Sequence, residues 1–254
     1  MKQNNKILNK RWRFIHENGR YLLYNPDLLI SPDVDLLCCG IFQKADSYQP
    51  VTEGGRGQAW FIKINGLSAV YRKYMRGGLI SKINQQTYFS LSQENTRSIK
   101  EWRLLESMAK RDLPVPRAIA ASVSRWPFKY SPFYRAQILV ELIPNVQVLD
   151  QILNKRELKS EEWTLIGECI RRFHDENVCH ADLNANNILI NELSTVYLID
   201  FDKSEIRQSQ NKLESWKLAN LQRLKRSLLK QQSIHASYYF SEDNWQTLLA
   251  AYTG

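Results

Sequence analysis

The chain of 254 residues is long enough for one large domain or for two smaller lobes around a proper hydrophobic core. Hydrophobic residues make up 43% of it and charged residues 24%, a composition that excludes an intrinsically disordered protein. The formal net charge of +9 favours anionic partners, which include nucleic acid, nucleotides, phosphorylated substrates and acidic membrane surfaces.

The cysteines and the amino terminus bear on the cellular compartment of the protein. None of the four cysteines forms a C-x-x-C pair, so free thiols in a reducing compartment are expected. The first residues are basic but lack the apolar core of a signal peptide, and no stretch approaches the ~20 apolar residues of a spanning helix. We therefore expect a cytosolic protein, which would meet a membrane only from that side.

The first part of the chain has the pattern of short strands. Apolar positions alternate around Tyr21–Leu23 and again around Leu28–Ile30, and turn residues separate the two runs. A Gly-rich turn, TEGGRGQ, then leads into a β-rich run, and Asn65-Gly66 is a strong hairpin signal before a second strand, SAVYRKY. The glycines of this turn, which we expect at a hairpin and not at a helix start, are Gly54, Gly55 and Gly57.

Helical and extended segments alternate in the middle of the chain. Residues 95–110 repeat apolar side chains at helical spacing, and the sequence Leu-Pro-Val-Pro ends this helix. The run AQILVELIP then predicts a buried strand that reaches a linker at Pro144. We accordingly expect an N-terminal lobe over residues 1–144 and a C-terminal lobe over residues 145–254.

The C-terminal part begins with a second predicted helix over residues 160–177. A polar loop follows, and then two short strands over Ile188–Ile190 and Val196–Ile199. Residues 212–231 predict a basic amphipathic helix whose leucines we expect to pack on the core. The alternative for this helix is contact with a membrane surface.

The polar loop and the end of the second short strand carry the residues with the clearest chemistry. Asp182 and Asn187 lie just before the first strand, and Asp200 follows its antiparallel partner, so the hairpin brings the three together. Two carboxylates and an amide oxygen repel one another unless a cation neutralises them, and hard oxygen ligands suit Mg²⁺. Magnesium in turn indicates nucleotide phosphates.

Phosphoryl transfer needs further parts, and each has a candidate upstream in the expected order. The GGRG turn supplies a backbone-rich loop for the phosphates, and Arg72 or Lys73 on the next strand supplies a cation. Glu101 on the following helix is placed to hold that cation. The strand ILVEL, which contains Glu141, would take the adenine edge.

With these parts in place, the chain resembles the protein-kinase-like superfamily over residues 50–205. The matches are His180-Ala181-Asp182-Leu183 with Asn187, followed by Asp200-Phe201-Asp202. The resemblance implies an α+β, bilobal kinase-like fold with a β-rich N-terminal lobe, one regulatory-type helix and a reduced, mainly helical C-terminal lobe. It also implies ATP as the donor, Asp182 as the catalytic base or hydroxyl-orienting residue, and Asn187 and Asp200 as Mg²⁺ ligands.

Departures from that pattern bear on the acceptor. Ala181 stands where many protein kinases have arginine, and Asp202 replaces the usual glycine, which argues against a switching activation segment. Only 254 − 202 = 52 residues follow the motif, too few for the usual peptide-binding lobe. A small molecule or a glycan is therefore the expected acceptor.

Finer features are similar to the lipopolysaccharide-core kinase family: YRKYMRGGLI, HADLNANNIL, LIDFDKSEIR and NLQRLKRSLLK. That resemblance implies ATP-dependent phosphorylation of the 4-hydroxyl of a 3-deoxy-D-manno-octulosonic acid (Kdo) residue on a lipid A precursor. The reaction would take place at the cytoplasmic side of the inner membrane, with no nucleic-acid partner. The alternatives are a kinase-like enzyme acting on a heptose, an aminoglycoside or a protein, and a basic adaptor without catalytic activity.

Overall fold

The computed structural model describes residues 12–51, 59–74, 87–207 and 214–254. The chain divides into two compact units. The first comprises Met1–Trp102 and Arg117–Leu142, and the second comprises Arg103–Pro116 and Ile143–Gly254. The helix Arg97–Ala109 begins in the first unit and ends in the second.

The first unit is built on an antiparallel sheet. Among the described residues the strand order is β1-β2-β7-β8-β5-β4-β3, and the short strand β6 pairs with β8 beside this path. The strands are β1 Arg13–Glu17, β2 Arg20–Tyr24, β3 Ser47–Pro50, β4 Ala59–Ile64, β5 Leu67–Lys73, β6 Tyr88–Phe89, β7 Ala118–Arg125 and β8 Phe133–Glu141. The helices are α1 Ile41–Lys44 and α2 Arg97–Ala109.

Local sequence explains the β4–β5 hairpin, which carries Arg72. Asn65 and Gly66 both adopt positive φ, 50° and 76°, as a tight two-residue hairpin turn requires. The resulting register places Arg72 opposite Ala59 and, on the other side, opposite Ile138 of β8. The hairpin predicted from Asn65-Gly66 is therefore confirmed.

The amino-terminal prediction is only partly correct. Residues 21–23 do lie in a strand, β2, which pairs with β1. Residues 28–30 form a turn and not a second strand. Leu29 nevertheless contributes to a core under the sheet together with Leu22, Leu37 and Tyr71, so its apolar character reflects burial and not strand alternation.

The second unit is mainly helical. Its strands are β9 Val146–Val148, β10 Val178–Cys179, β11 Ile188–Asn191, β12 Val196–Leu198 and β13 Glu205–Ile206. The sheet order β12-β11-β9 and the pair β10-β13 account for them. Its further helices are α3 Leu149–Leu153, α4 Ser160–Asp175, α5 Glu214–Ile234 and α6 Glu242–Thr253.

Helices α4 and α6 pack closely at Gly167. A Cβ at this position would lie 2.3 Å from the carbonyl oxygen of Leu248, so only glycine allows the approach. In α5 the side chains of Trp216, Leu224 and Leu228 are buried, which confirms the core-packing face predicted for this helix.

Two broader expectations concern the whole described chain. All four cysteines are free thiols, as predicted from their spacing. Within the described ranges, no helix combines the length and the apolar character that crossing a membrane requires.

Candidate active site

The loop between β10 and β11 is fixed by its own side chains. The carbonyl oxygen of Asp182 accepts two hydrogen bonds, one from Asn187 Nδ2 at 2.8 Å and one from Asn184 Nδ2 at 3.0 Å. Asn184 Oδ1 also accepts the backbone N–H of Asn186 at 2.9 Å, which starts a short 3-10 turn over Ala185–Asn187. These hydrogen bonds within the loop define its shape.

His180 ties this loop to the strand hairpin beyond it. Its Nδ1 accepts the backbone N–H of Asp182 at 3.1 Å, so the proton is on Nε2, which donates to the carbonyl oxygen of Ile199 at 2.9 Å. Burial lowers the pKa of His180 below its usual range, and the hydrogen bond to Ile199 only partly offsets this. A neutral imidazole with both nitrogens engaged in hydrogen bonds has a structural role.

The β11–β12 hairpin brings Asn187 and Asp200 to the same end of the sheet. Ile188 pairs with Leu198, and the N–H of Ile199 donates to the carbonyl oxygen of Asn187 at 3.0 Å. Asp200 follows immediately and has a φ of 61°, a left-handed conformation that asparagine and aspartate adopt more readily than most residues. Such a conformation is held by its surroundings and is frequent at functional sites.

Phe201 anchors the segment that follows Asp200. Its side chain is fully buried, and its ring lies 5.8 Å from that of Phe173 and 4.7 Å from that of His180. Ser204 Oγ accepts the backbone N–H of Ala181 at 3.0 Å and joins this segment to the loop between β10 and β11. These contacts fix the positions of Phe201 and Ser204 relative to the loop.

Helix α5 supports the same loop from one face, a role that the sequence did not indicate. Asn220 Oδ1 accepts the backbone N–H of His180 at 3.1 Å, and Ser227 Oγ accepts the backbone N–H of Ala185 at 3.1 Å. Arg223, between them on the helix, lies with Nη1 3.6 Å from Asp182 Oδ1. Three residues at helical spacing therefore contact three successive parts of the loop.

The carboxylate of Asp182 remains accessible. Its side chain is 64% exposed, and that of its partner Arg223 is 46% exposed. The backbone of Asp182 is fixed by three hydrogen bonds, whereas its carboxylate points into solvent beside a cation. This is the arrangement expected of a residue that must meet a substrate hydroxyl.

In the first unit, Arg72 and Glu101 form the predicted pair. Arg72 Nη2 lies 2.5 Å from Oε1 and 2.7 Å from Oε2 of Glu101, whose side chain is 4% exposed. The hydroxyl of Tyr74, a residue that the sequence analysis did not select, donates to the same carboxylate. Lys73 is on the opposite strand face, with Nζ 5.3 Å from the centre of the Trp60 ring. The cation that Glu101 holds is therefore Arg72 and not Lys73.

The other residues predicted to contact the nucleotide are Glu141 and the glycines of the GGRG turn. Glu141 forms a two-point ion pair with Arg117, with distances of 2.5 and 2.7 Å, and its N–H donates to the carbonyl oxygen of Arg117. Gly54, Gly55 and Gly57 lie outside the described residues.

The expected Mg²⁺ site consists of oxygen donors only. Asn187 is 92% buried and uses Nδ2 for the carbonyl oxygen of Asp182, which leaves Oδ1 as the atom able to ligate a cation. The Asp200 carboxylate on the neighbouring strand end supplies the hard anionic donor that Mg²⁺ prefers. Among the described side chains, no group of three or more His, Cys, Asp and Glu residues is placed to bind a metal. A pair made of an amide and a carboxylate fits an ion that takes its remaining ligands from phosphates and water.

Comparisons with known proteins find relatives that are named as kinases. The lipopolysaccharide kinase (Kdo/WaaP) family matches residues 43–252. A protein of Mannheimia succiniciproducens named 3-deoxy-D-manno-octulosonic acid kinase is 44% identical over 204 residues, which are 78% of this chain and 82% of that protein. Proteins of the same name from Photobacterium damsela and Haemophilus influenzae are 36% and 35% identical, and each alignment covers 93% of this chain. These alignments cover 95% and 97% of the two relatives.

A solved structure gives the fold independently of close sequence similarity. The structure described as WaaP in complex with acyl carrier protein has a TM-score of 0.53 and 13% sequence identity to this chain. The match covers 89% of this chain and 88% of the other. The α+β, kinase-like fold expected from the motifs is confirmed.

Proposed function

The chain belongs to the lipopolysaccharide kinase (Kdo/WaaP) family, and we propose that it phosphorylates the 4-hydroxyl of a Kdo residue on a lipid A precursor, with ATP as the donor. The relatives named 3-deoxy-D-manno-octulosonic acid kinase, at 35% to 44% identity, support Kdo as the sugar that accepts the phosphate. The observation that carries the proposal is the loop between β10 and β11, residues 180–187, which we call the catalytic loop: it fixes the backbone of Asp182 and leaves its carboxylate accessible.

Asp182 is the proposed catalytic residue. Its carboxylate accepts or orients the proton of the acceptor hydroxyl while the acceptor oxygen attacks the γ-phosphorus. A new P–O bond forms to the sugar, the bond between the γ-phosphorus and the β–γ bridging oxygen breaks, and ADP leaves. Because little covalent chemistry is needed, the main task of the protein is to position the reactants and to stabilise charge.

Asn187 and Asp200 are the proposed Mg²⁺ ligands, through Asn187 Oδ1 and the Asp200 carboxylate. When bound, the ion neutralises charge on the nucleotide phosphates. The protein keeps these two donors in place through the hydrogen bond from Ile199 to Asn187 and through the buried ring of Phe201.

Arg72 is the proposed phosphate clamp. Its guanidinium is always charged and suits the geometry of phosphate, so it fills the role that lysine has in protein kinases. Glu101 and Tyr74 hold it from the buried side. Gly54, Gly55 and Gly57 would cover the phosphates, and the backbone around Glu141 would take the adenine edge. Lys73, which contacts Trp60, has no assigned part in this proposal.

The proposed acceptor also implies a location. A lipid A precursor is anchored in a bilayer, so the enzyme would work as a peripheral protein at the cytoplasmic side of the inner membrane. The net charge of +9 supports attraction to the anionic surface of such a membrane. Nucleic acid has no part in this proposal.

The test is phosphate transfer from labelled ATP, with Mg²⁺, to a Kdo-bearing lipid A precursor. We expect the phosphate at the 4-hydroxyl, and we expect Asp182→Asn to lower kcat by roughly 10²- to 10⁴-fold without a change in folding, because its side chain is exposed. Asp175→Asn, at an exposed position on α4, is the matched control and should keep full activity. The proposal fails if transfer goes instead to a heptose, an aminoglycoside or a protein, or if Asp182→Asn is fully active.

A further inference from the structure

Large apolar side chains are exposed together at one end of the first unit's sheet. They lie on the turn between β7 and β8, at the start of β8, and on or just after the short strand β6, and their exposed fractions run from 40% to 83%. Exposed apolar groups are ordinary when scattered, but a group of this kind marks an interaction surface. We call it the aromatic hairpin tip; it consists of Phe89, Leu91, Trp126, Phe128, Tyr130 and Phe133.

The backbone of the aromatic hairpin tip is firmly held. Phe89 pairs with Phe133 across the sheet, with ring centres 5.9 Å apart, and the N–H of Trp126 donates to the carbonyl oxygen of Phe133 at 3.0 Å. Arg125 Nη1 donates to the carbonyl oxygen of Ser90 at 2.5 Å. The rings are therefore presented by ordered structure, and their exposure is a property of the fold.

Gly19 adds a close contact that depends on residue type. It has a φ of 75°, and a Cβ at this position would lie 2.6 Å from Cα of Lys129. The β1–β2 turn therefore reaches the backbone of the tip only because residue 19 has no side chain. This contact fixes the position of Lys129 between the two most exposed rings of the turn, Phe128 and Tyr130.

Over residues 118–140 the β7–β8 hairpin, which carries most of the tip, has charged side chains of one sign only. Residues 113–140 contain no acidic side chain and four basic ones: Arg117, Arg125, Lys129 and Arg135. Two of these cations lie over the exposed rings, Lys129 Nζ at 4.9 Å from the centre of Tyr130 and Arg135 Cζ at 4.8 Å from that of Trp126. Rings combined with cations are the chemistry of the headgroup region of an anionic bilayer, where amphipathic aromatic side chains concentrate.

We propose that the aromatic hairpin tip docks the protein on an anionic lipid bilayer. The rings of Phe128 and Tyr130 enter the boundary between headgroups and acyl chains, and Lys129 reaches the lipid phosphates. The proposal rests on the proposed function in one respect, since a lipid-anchored acceptor gives the enzyme a reason to dock. The surface itself is defined independently of that function.

The experiment is cosedimentation of the full chain with phosphatidylcholine vesicles, with and without phosphatidylglycerol. We expect binding only when phosphatidylglycerol is present, and we expect added salt to weaken it. The double variant Phe128→Ala/Tyr130→Ala should bind roughly tenfold or more weakly, because two exposed rings no longer leave water. Lys129→Glu should weaken binding as well, through charge alone.

A matched control removes exposed apolar side chains elsewhere. Ile30 and Leu193 are each 86% exposed, and the double variant Ile30→Ala/Leu193→Ala should bind vesicles like the unaltered protein. In the unaltered protein, brominated lipid should quench part of the tryptophan fluorescence, and Trp126→Phe should remove that part. Either the absence of vesicle binding, or equal binding by the tip variant and the unaltered protein, overturns the proposal; so does equal loss in the control.

Activity separates this proposal from the proposed function. The variant Phe128→Ala/Tyr130→Ala should phosphorylate a water-soluble Kdo acceptor at the normal rate and a vesicle-embedded precursor several-fold more slowly. If the unaltered protein transfers no phosphate to either acceptor, the proposed function fails, whereas the vesicle-binding result still decides the docking surface. Self-association through the tip without lipid binding would show that the surface serves a second copy of the chain, and would also overturn the proposal.

Discussion

Arg223 lies on helix α5 with its Nη1 3.6 Å from Oδ1 of Asp182, although the two residues are 41 positions apart in the chain (223 − 182 = 41). The contact places a cation beside the carboxylate proposed to handle the acceptor hydroxyl. It comes from the same helix face whose Asn220 and Ser227 hold the backbone of the loop. Helix α5, near the end of the chain, thus contacts the loop that contains the proposed catalytic residue.

The first prediction concerns this contact. Because both side chains are exposed, Arg223→Ala should change the free energy of unfolding by less than about 1 kcal/mol. It should lower kcat by about fivefold, the rate equivalent of ~1 kcal/mol, because the Asp182 carboxylate loses the cation that orients it. Arg223→Lys should recover part of the rate. Steady-state kinetics and thermal unfolding measure the two effects, and Arg226→Ala, at an exposed position on the same helix, is the control. Equal kcat in Arg223→Ala and in the unaltered protein would remove Arg223 from the site.

The second prediction concerns the Arg72–Glu101 pair. Removing one partner of a buried ion pair leaves an uncompensated charge, so Arg72→Met should reduce the free energy of unfolding by about 3 kcal/mol. The double variant Arg72→Met/Glu101→Gln should regain much of that stability, because the buried group is then neutral. Both variants should bind ATP more weakly than the unaltered protein, because both lack the Arg72 cation.

Lys73→Met is the matched control for that experiment. Its amine lies over the Trp60 ring and away from Glu101, so this variant should keep its affinity for ATP. Denaturant unfolding and calorimetric nucleotide titration would measure stability and affinity separately. If Lys73→Met loses the affinity and Arg72→Met keeps it, the assignment of the phosphate clamp is wrong.

The third prediction concerns Asn220, which is 5% exposed. Asn220→Ala would leave the N–H of His180 without its acceptor in a buried place, which costs about 1–3 kcal/mol in the free energy of unfolding. The catalytic loop should also become more mobile, so hydrogen exchange at the amides of His180 and Asp182 should speed up more than elsewhere. Ser233→Ala, at an exposed position near the end of the same helix, should change neither quantity. Uniform acceleration over the whole chain would mean that Asn220 stabilises the fold without any special effect on the loop.

The fourth prediction concerns pH. Burial lowers the pKa of His174 to about 4, and burial also lowers that of His180, so the unfolded chain binds protons in acid that the folded chain does not. The free energy of unfolding should therefore be highest above pH ~6.5. It should fall as the pH decreases towards ~4, by up to roughly 3 kcal/mol for His174 alone.

Denaturant unfolding at a series of pH values would measure this slope. His174→Gln should flatten it, whereas His235→Gln, at an exposed position, should leave it unchanged. A slope that is the same in His174→Gln and the unaltered protein would assign the acid sensitivity to other groups.

Parts of the site that depend on short stretches of chain were predictable. Asp182 and Asn187 are separated by one tight loop, and the hairpin that brings Asp200 beside Asn187 has only a few residues, so spacing and turn chemistry define them. The helix Glu242–Thr253 was not predicted, although Ser241 accepts the N–H of Asn244 and Trp245 and Leu248 follow at helical spacing. Its signal was present in the capping residues and the apolar period.

The sequence by itself determined the family and the type of chemistry, and it picked out the loop residues proposed to carry that chemistry, because these depend on side-chain type and on local spacing. Only the tertiary structure decided that Arg72 and not Lys73 meets Glu101, since that depends on which strand face the helix α2 covers. It also decided that α5 holds the loop through Asn220, Arg223 and Ser227. Contacts between residues about 40 positions apart follow from how a helix packs, and no local pattern in the chain encodes them.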